Sequence, residues 1–335
     1  MEKVTGIKSV DFKITALGHG VVNWNGSPQL EFWKDGATKP TKITNHNMPK
    51  LRGYTNVKEF WEDGSPKSFH HPSSVDLSKT KLYISQNCIR HHLFRGEHYN
   101  LNSPQLAENI IKLLCSTTGL LRGYVNPKNE NKRTSPLLLT DFVDELNNGN
   151  FEQLGRSGSK EKETNKAGKD SSNSLFSKFT FGDTKYTAYG SISIEQLQFI
   201  PLCADFGRES MKINNHKEGK EVAEKLTEYL QSLSQNKEAK AIYHENYVRR
   251  GSIFDEGEQG ILFNDMAIDE LVNQAIELIK TLSIRQAKGY MYVDDVQIDY
   301  NDSYIAKDMF RIKRGDNSNQ PTKNTNKYAV YYEGK

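Results

Sequence analysis

The sequence predicts an α+β domain, an antiparallel sheet with helices on one face. Two observations carry that prediction. Segments with a two-residue apolar period, such as Val10, Phe12 and Ile14 set between Asp11, Lys13 and Thr15, are interspersed with segments of helical period, such as Ile268, Leu271, Val272, Ala275, Ile276 and Ile279. The 335 residues are enough for one large core, and 36% hydrophobic residues with a mean hydropathy of −0.73 predict a soluble protein with long polar loops.

The opening strand covers 10–14, and Gly18-His19-Gly20 leads into a kinked continuation or a second strand as far as Gly26. Residues 27–80 are rich in Gly, Pro, Ser, Lys and aromatics and show little periodicity, so they form a long excursion from the core. Leu82-Tyr83-Ile84 is a short strand that runs into a capped basic helix over 85–95. A second helix spans 105–115 with Leu106, Ile110, Leu113 and Leu114 on one face. A third spans 219–233 on Val222, Leu226, Tyr229, Leu230 and Leu233, and a fourth spans 267–282. Residues 189–194 and 290–293 alternate as strands, and 296–300 continue the latter past a bulge at Asp294-Asp295. Residues 155–174 are Gly, Ser, Lys, Glu, Asn and Asp almost throughout, and are expected to be flexible unless a partner orders them. A polar connector, 315–327, leads to Tyr328-Ala329-Val330-Tyr331-Tyr332, and Leu-Arg-Gly-Tyr occurs at both 51–54 and 121–124. A ferredoxin-like or RRM-like sheet fits this order, elaborated by insertions at 27–80 and 150–190.

The helix start at 85–95 has the most chemistry. Ser85, Gln86 and Asn87 can accept its first free N–H groups, and those same groups, with the positive end of the helix dipole, attract phosphate. Gln86 and Arg90 share one face; Ile89 and Leu93 share another that can be buried. Two readings stand, an anion-binding helix start with an Arg beside it and an ordinary capped surface helix. The net charge of +3 identifies no partner, but its distribution is uneven. Residues 81–133 carry eight Lys/Arg and three His against three Glu and no Asp, whereas 134–155 carry only acids, Asp141, Asp144, Glu145 and Glu152. That segregation favours a polyanion site on one side.

Other chemistries find little support. Cys88, Cys115 and Cys203 lack the spacing of a zinc site, and Cys88 and Cys115, in helical patterns, read as reduced core residues of a cytoplasmic protein. No apolar signal segment opens the chain and no run approaches eighteen apolar residues, so no membrane span is expected. No phosphate-cradling GxxxxGK[ST] loop is present. Asp294, Asp295, Asp299 and Asp302 could be read as a magnesium site, but acids commonly end strand pairing, and no metal or other cofactor is expected. His91, His92 and His98 do not have a ligand spacing, because adjacent helical residues point to different faces.

Ile84-Ser85-Gln86-Asn87-Cys88-Ile89-Arg90 resembles the Ile-Ser-Ser-Gln-Ser-Leu-Lys pattern of the backbone subunits of type I CRISPR surveillance complexes, within the RAMP superfamily. Lys is replaced here by Arg, a better bidentate partner for phosphate. Residues 186–198 resemble the strand that follows the thumb in that family. Gly18-His19-Gly20-Val21-Val22-Asn23-Trp24-Asn25-Gly26, Lys132-Arg133-Thr134-Ser135-Pro136-Leu137-Leu138-Leu139, Asn246-Tyr247-Val248-Arg249-Arg250-Gly251 and Ser283-Ile284-Arg285-Gln286-Ala287-Lys288-Gly289-Tyr290 extend the likeness to the backbone subunit of the minimal type I-F variant Cascade over nearly the whole chain.

The resemblance implies a right-hand shape: one RRM-like palm over 1–335, a finger insertion at 27–80, a thumb hairpin at 150–190 and a C-terminal extension at 315–335. It implies a non-catalytic filament that coats CRISPR guide RNA (crRNA), binds its sugar-phosphate backbone and leaves bases free to pair with target DNA in antiviral defence. Implied partners are further copies of the chain, other Cascade subunits (a 5′-handle cap subunit and a guide-processing endonuclease) and a recruited helicase-nuclease. RNA contacts are expected from Arg52, Ser85, Gln86, Asn87, Arg90, His91, Arg122, Lys132, Arg133, Arg249, Arg250, Arg285 and Lys288, because sequence-independent binding goes through phosphate and sugar. Phe176, Phe179 and Phe181 are candidate base wedges, or else pack the hairpin on the palm. The competing function is a backbone-type endoribonuclease that cuts guide-paired target RNA with a metal and an Asp.

Overall fold

The structure, a computed structural model, describes residues 4–22, 30–32, 38, 41–43, 59–60, 66–67, 81–95, 109–126, 130–146, 151–157, 174–203, 209–234, 237–303, 310–313 and 327–335. In chain order the strands are β1 (Ser9–Gly20), β2 (Leu30–Phe32), β3 (Thr41–Ile43), β4 (Glu59–Phe60), β5 (Pro66–Lys67), β6 (Tyr83–Ile84), β7 (Tyr124–Val125), β8 (Lys132–Arg133), β9 (Leu137–Leu139), β10 (Phe142–Asp144), β11 (Phe151–Ser157), β12 (Ser174–Thr180), β13 (Asp183–Ser193), β14 (Phe199–Pro201), β15 (Ala241–Arg249), β16 (Glu258–Phe263), β17 (Ser283–Gln286), β18 (Gly289–Asn301) and β19 (Tyr332–Gly334). The helices are α1 (Gln86–Leu93), α2 (Ile110–Leu114), α3 (Ile194–Gln198), α4 (His216–Ser234) and α5 (Asp265–Lys280), with a π-helical turn at Thr118–Arg122 and a 3-10 turn at Arg311–Lys313.

The apolar period of β1 makes it the centre of a seven-stranded antiparallel sheet in the order β17-β18-β1-β13-β10-β6, with β9 also on β13. Val10, Phe12, Ile14 and Ala16 are buried on one face in a single core with Ile89 and Leu93 of α1 and Ile268, Leu271, Val272 and Ala275 of α5. The fourth helix predicted from the sequence is α5, which starts at Asp265 behind an Asn264 cap whose side chain accepts from the Ala267 N–H. The other face of the sheet presents Lys13, Thr15, Thr187, Tyr189, Val143 and Tyr83, as their pairings place them in register.

β1 does not break at Gly18-His19-Gly20, where the sequence suggests a kink or a second strand. A side-chain carbon at Gly18 would lie 2.2 Å from the Tyr290 carbonyl oxygen, so glycine here permits close approach of β18 and keeps the strand continuous. The expected bulge is present: Thr15 pairs with Asp295 and Ala16 with Val293, leaving Asp294 as the extra residue. Residues 155–157, expected to be flexible, are paired in β11 with 174–176 of β12, and 158–173 lie outside the described residues. Within 150–190, the hairpin ends at Thr180, and 183–193 pair with β1 in the main sheet. The helix expected at 105–115 is described only as α2; 101–108 lie outside the described residues.

A second antiparallel sheet, β14-β16-β15-β19, has no counterpart in the sequence pattern. A register shift between His244 and Tyr247 breaks the alternation of β15 and hides its strand character. The helix predicted at 219–233 is α4, which packs on this sheet and on α5. β19 closes the sheet with the C-terminal residues, and Gln198 holds the approach to it through bonds to the Ala329 carbonyl (2.9 Å) and the Tyr331 N–H (3.1 Å).

Candidate nucleic-acid interface

Ser85 caps α1 as its sequence predicts, its hydroxyl accepting from the Cys88 N–H at 3.4 Å. A second first-turn donor, the Gln86 N–H, is taken at 3.0 Å by the Asp141 carboxylate. The acidic stretch after 134 therefore returns to the basic helix instead of forming a separate face. Two of the expected phosphate-binding amides are occupied, which shifts the anion-binding potential from the helix start to the side chains beyond it. Asn87 and His91 are exposed, and the His91 ring meets His92 edge-on at 5.3 Å.

Those side chains are Arg90 and Arg122. Burial of Ile89 and Leu93 turns Arg90 along the flank of α1, half-buried, where a terminal N–H donates to the Leu137 carbonyl at the start of β9 and Nε is buried without a partner. Arg122 ends the π-helical turn beside it. Gly123, at φ +73°, lets the chain turn directly after Arg122, and a side chain there would run into the Arg133 carbonyl at 2.3 Å. Burial lowers the pKa of both guanidiniums from the ordinary value, and the nearby Arg122 charge lowers that of Arg90 further. Among the described residues no carboxylate pairs with either. Both cations are partly stripped of water and set close together, so an anion between them would relieve desolvation and repulsion at once.

The other predicted contacts fall elsewhere. Arg133 points inward: it is 4% exposed and donates to the carbonyls of Leu120, Phe199, Gln196 and Leu197 at 3.3–3.5 Å. Burial lowers its pKa to about 10. It braces β8 against α3 and cannot reach an external backbone. Lys132 is exposed and lines a cleft with Ser193, Glu195, Glu258 and Tyr332. Arg249 is held at 2.8 Å by Glu195, whose hydrogen bond and charge raise its pKa, and Arg250 lies 3.8 Å from Glu333, so acids offset both cations in the second sheet. Arg285, in β17, and Lys288, in the turn to β18, flank a hollow with His19, Phe181 and Tyr290 at the end of the main sheet where β1 finishes. Phe181 is half-buried against the core, Phe176 and Phe179 lie on β12, and Arg52 lies outside the described residues.

The outer face of the main sheet, where Lys13, Thr15, Tyr83 and Tyr189 are half-buried, is a candidate surface not expected from the sequence. Arg311 pairs with Asp299 at 2.8 Å and Asp302 at 3.3 Å, which seats the 3-10 turn over one end of the face and puts the Lys313 ammonium 5.5 Å from the centre of the Tyr189 ring. The signal was available in the outward half of the β1 alternation, Lys13 and Thr15, which lie opposite Tyr189 and Thr187. Asp299 is fully buried in this network, and Asp11 accepts from Ser191 and Asn301 at 2.6 and 2.9 Å. Among the described residues no group of three His, Cys, Asp or Glu is arranged to hold a metal, and no helix is long and apolar enough to cross a membrane.

The family model for the type I-Fv CRISPR-associated protein Cas7fv-like matches residues 6–335. No curated protein matches the chain. A chain from a solved structure described as a CRISPR RNA-guided surveillance complex is similar over 81% of this chain and 83% of its own, at 11% identity and a TM-score of 0.25. A second, from a CRISPR RNA-guided surveillance complex in a pre-nicking state, is similar over 81% and 88%, at 10% identity and a TM-score of 0.24. Structural likeness at that level carries no functional argument.

Proposed function

Since this chain belongs to the Cas7fv-like family of type I-Fv CRISPR-associated proteins, we propose that it is the backbone subunit of a crRNA-guided surveillance complex, and that it coats the guide through sugar-phosphate contacts. The observation that carries this reading is the Arg90–Arg122 pair, two half-buried cations with no carboxylate partner among the described residues. An oxyanion is the ligand class that satisfies both, and a phosphodiester offers one at every nucleotide whatever the base.

The strand order β18-β1-β13-β10, with α1 and α5 in the core on one side, supports an RRM-like palm. The β11–β12 hairpin supports the thumb, with Phe176 and Phe179 as wedge candidates. The short β2–β3 and β4–β5 hairpins support finger elements within 27–80. The assembled copies leave guide bases open for target DNA, work in the cytoplasm with the other Cascade subunits and the helicase-nuclease, and cut nothing themselves.

The test is binding of purified protein to RNAs of unrelated sequence and equal length, together with the RNA that co-purifies from cells expressing a CRISPR array. Equal affinities within about threefold and a discrete RNA band are expected, because phosphate contacts are blind to sequence. No binding, or affinity that follows base identity, overturns the reading. Incubating the assembled complex with matched RNA and magnesium checks the non-catalytic part: regularly spaced products overturn it.

A further inference from the structure

The turn between β15 and β16 displays two neighbouring large apolar side chains, Ile253 at 83% and Phe254 at 68% exposed, the two most exposed large hydrophobics among the described residues. The turn is firmly built. Ser252 N–H donates to the Arg249 carbonyl at 3.0 Å, Phe254 N–H to the Ser252 hydroxyl at 3.0 Å, and Asn246 spans the base through the Asp255 carbonyl at 2.9 Å and the Gly257 N–H at 2.7 Å. Lys335 ties down the Asp255 carboxylate at 2.7 Å. Two apolar side chains on a hydrogen-bonded scaffold form a knob that water does not favour and a partner would. Exposed Glu256 stands next to them.

The hollow at the β17–β18 turn is its complement. It has a volume of about 530 Å³ and is lined by His19, Phe181, Ala287 and Tyr290, with Arg285 and Lys288 supplying positive charge. The Tyr290 ring is half exposed and stacks toward His19 at 6.3 Å. An apolar knob with an acid beside it thus faces, in chemistry, an aromatic hollow whose two cations outnumber the one acid, Asp183, that lies 2.9 Å from His19.

The knob, on the second sheet, and the hollow lie toward opposite ends of β1. The hollow sits where Gly20 meets Gly289. The knob is anchored at the other end: Arg249 is bonded to Glu195 in α3, which begins as β13 ends at Ser193 opposite Ser9. The twelve residues of β1 lie between them, a span of roughly 36 Å at about 3.3 Å per residue. Two complementary patches at opposite ends match copy to copy in a head-to-tail contact, which repeats along a filament.

We propose that Ile253 and Phe254 of one copy dock into the hollow of the next, with Glu256 facing Arg285 and Lys288. The inference rests on the assembly reading and names the surface through which the copies touch. It is tested with full-length protein on two RNAs, one that holds a single copy and one that holds several. The Ile253→Ser, Phe254→Asp double variant binds the short RNA as wild type does. On the long RNA its cooperative assembly weakens by about tenfold or more, the loss expected for a central aromatic anchor. In a mixture of Phe254→Cys and Ala287→Cys chains on the long RNA, a mild thiol oxidant yields a covalent dimer above the level of either chain alone. If wild type assembles while the double variant assembles equally well and no such dimer forms, the docking surface is wrong and the assembly reading stands. If the double variant loses affinity for the short RNA, the knob touches RNA and the proposal falls. If wild type itself does not assemble on the long RNA, the assembly reading falls and the docking surface with it.

Discussion

Replacing Arg122 by Gln tests the site at its least ambiguous point. Arg122 donates no hydrogen bond to the described protein, stands half-buried at the end of the π-helical turn, and adds positive charge beside Arg90. The substitution removes like-charge repulsion and breaks no ion pair, so stability should stay within about 0.5 kcal/mol of wild type. A charge-assisted contact is worth about 1.5–3 kcal/mol. Arg90 remains to hold the same phosphate and Arg122 keeps part of its hydration, so the lower part of that range applies. That is about 1.5–2 kcal/mol per copy, or a 10- to 30-fold loss of affinity. One phosphate contact fewer also lowers the slope of log affinity against log salt by about 0.7 on a single strand. Fluorescence anisotropy with a short RNA at four salt concentrations reads both quantities, and urea unfolding checks the fold. Unchanged affinity and slope in a folded Arg122→Gln protein would refute the assignment of this pair to phosphate.

Arg133→Met gives the contrasting result: stability falls by about 1–3 kcal/mol as four carbonyls lose their donor, while the salt slope of RNA binding, measured in the same titration, stays at the wild-type value. Arg311→Met strands the fully buried Asp299 carboxylate and costs about 3–5 kcal/mol at pH 7.5 in urea unfolding. Burial already raises the Asp299 pKa against the pull of Arg311, and without Arg311 it rises further. A raised carboxylate pKa means the folded state binds the proton more tightly than the unfolded state, so this variant regains stability as pH falls toward 5, and a pH-independent deficit would refute the argument. Burial, then His91 and Arg95, hold the His92 pKa below 6.5, so its contribution to stability is complete above 6.5 and is lost as pH falls below it; thermal melts of His92→Gln should show a flatter dependence there.

The features of this protein that depend on nearest neighbours are written in its residues. The β1 alternation, the α5 stripe, the Ser85 cap and the Asp294 bulge were all legible, because each expresses a local period or a donor within one turn. The second sheet was not, since the irregularity in β15 erases the period that announces a strand. The site divides the same way. Arg122 and Arg133 are the same residue type eleven positions apart, yet one is left half-buried next to Arg90 and the other is enclosed by four carbonyls from the π-helical turn and the α3–β14 segment. Asp141, 55 residues away in the chain, takes an amide at the start of α1 that the local pattern offers to phosphate. Local pattern records which side of a segment is apolar. Which charge or carbonyl arrives opposite a cation is settled in three dimensions, because that neighbour comes from a distant segment brought in by burial of the apolar core.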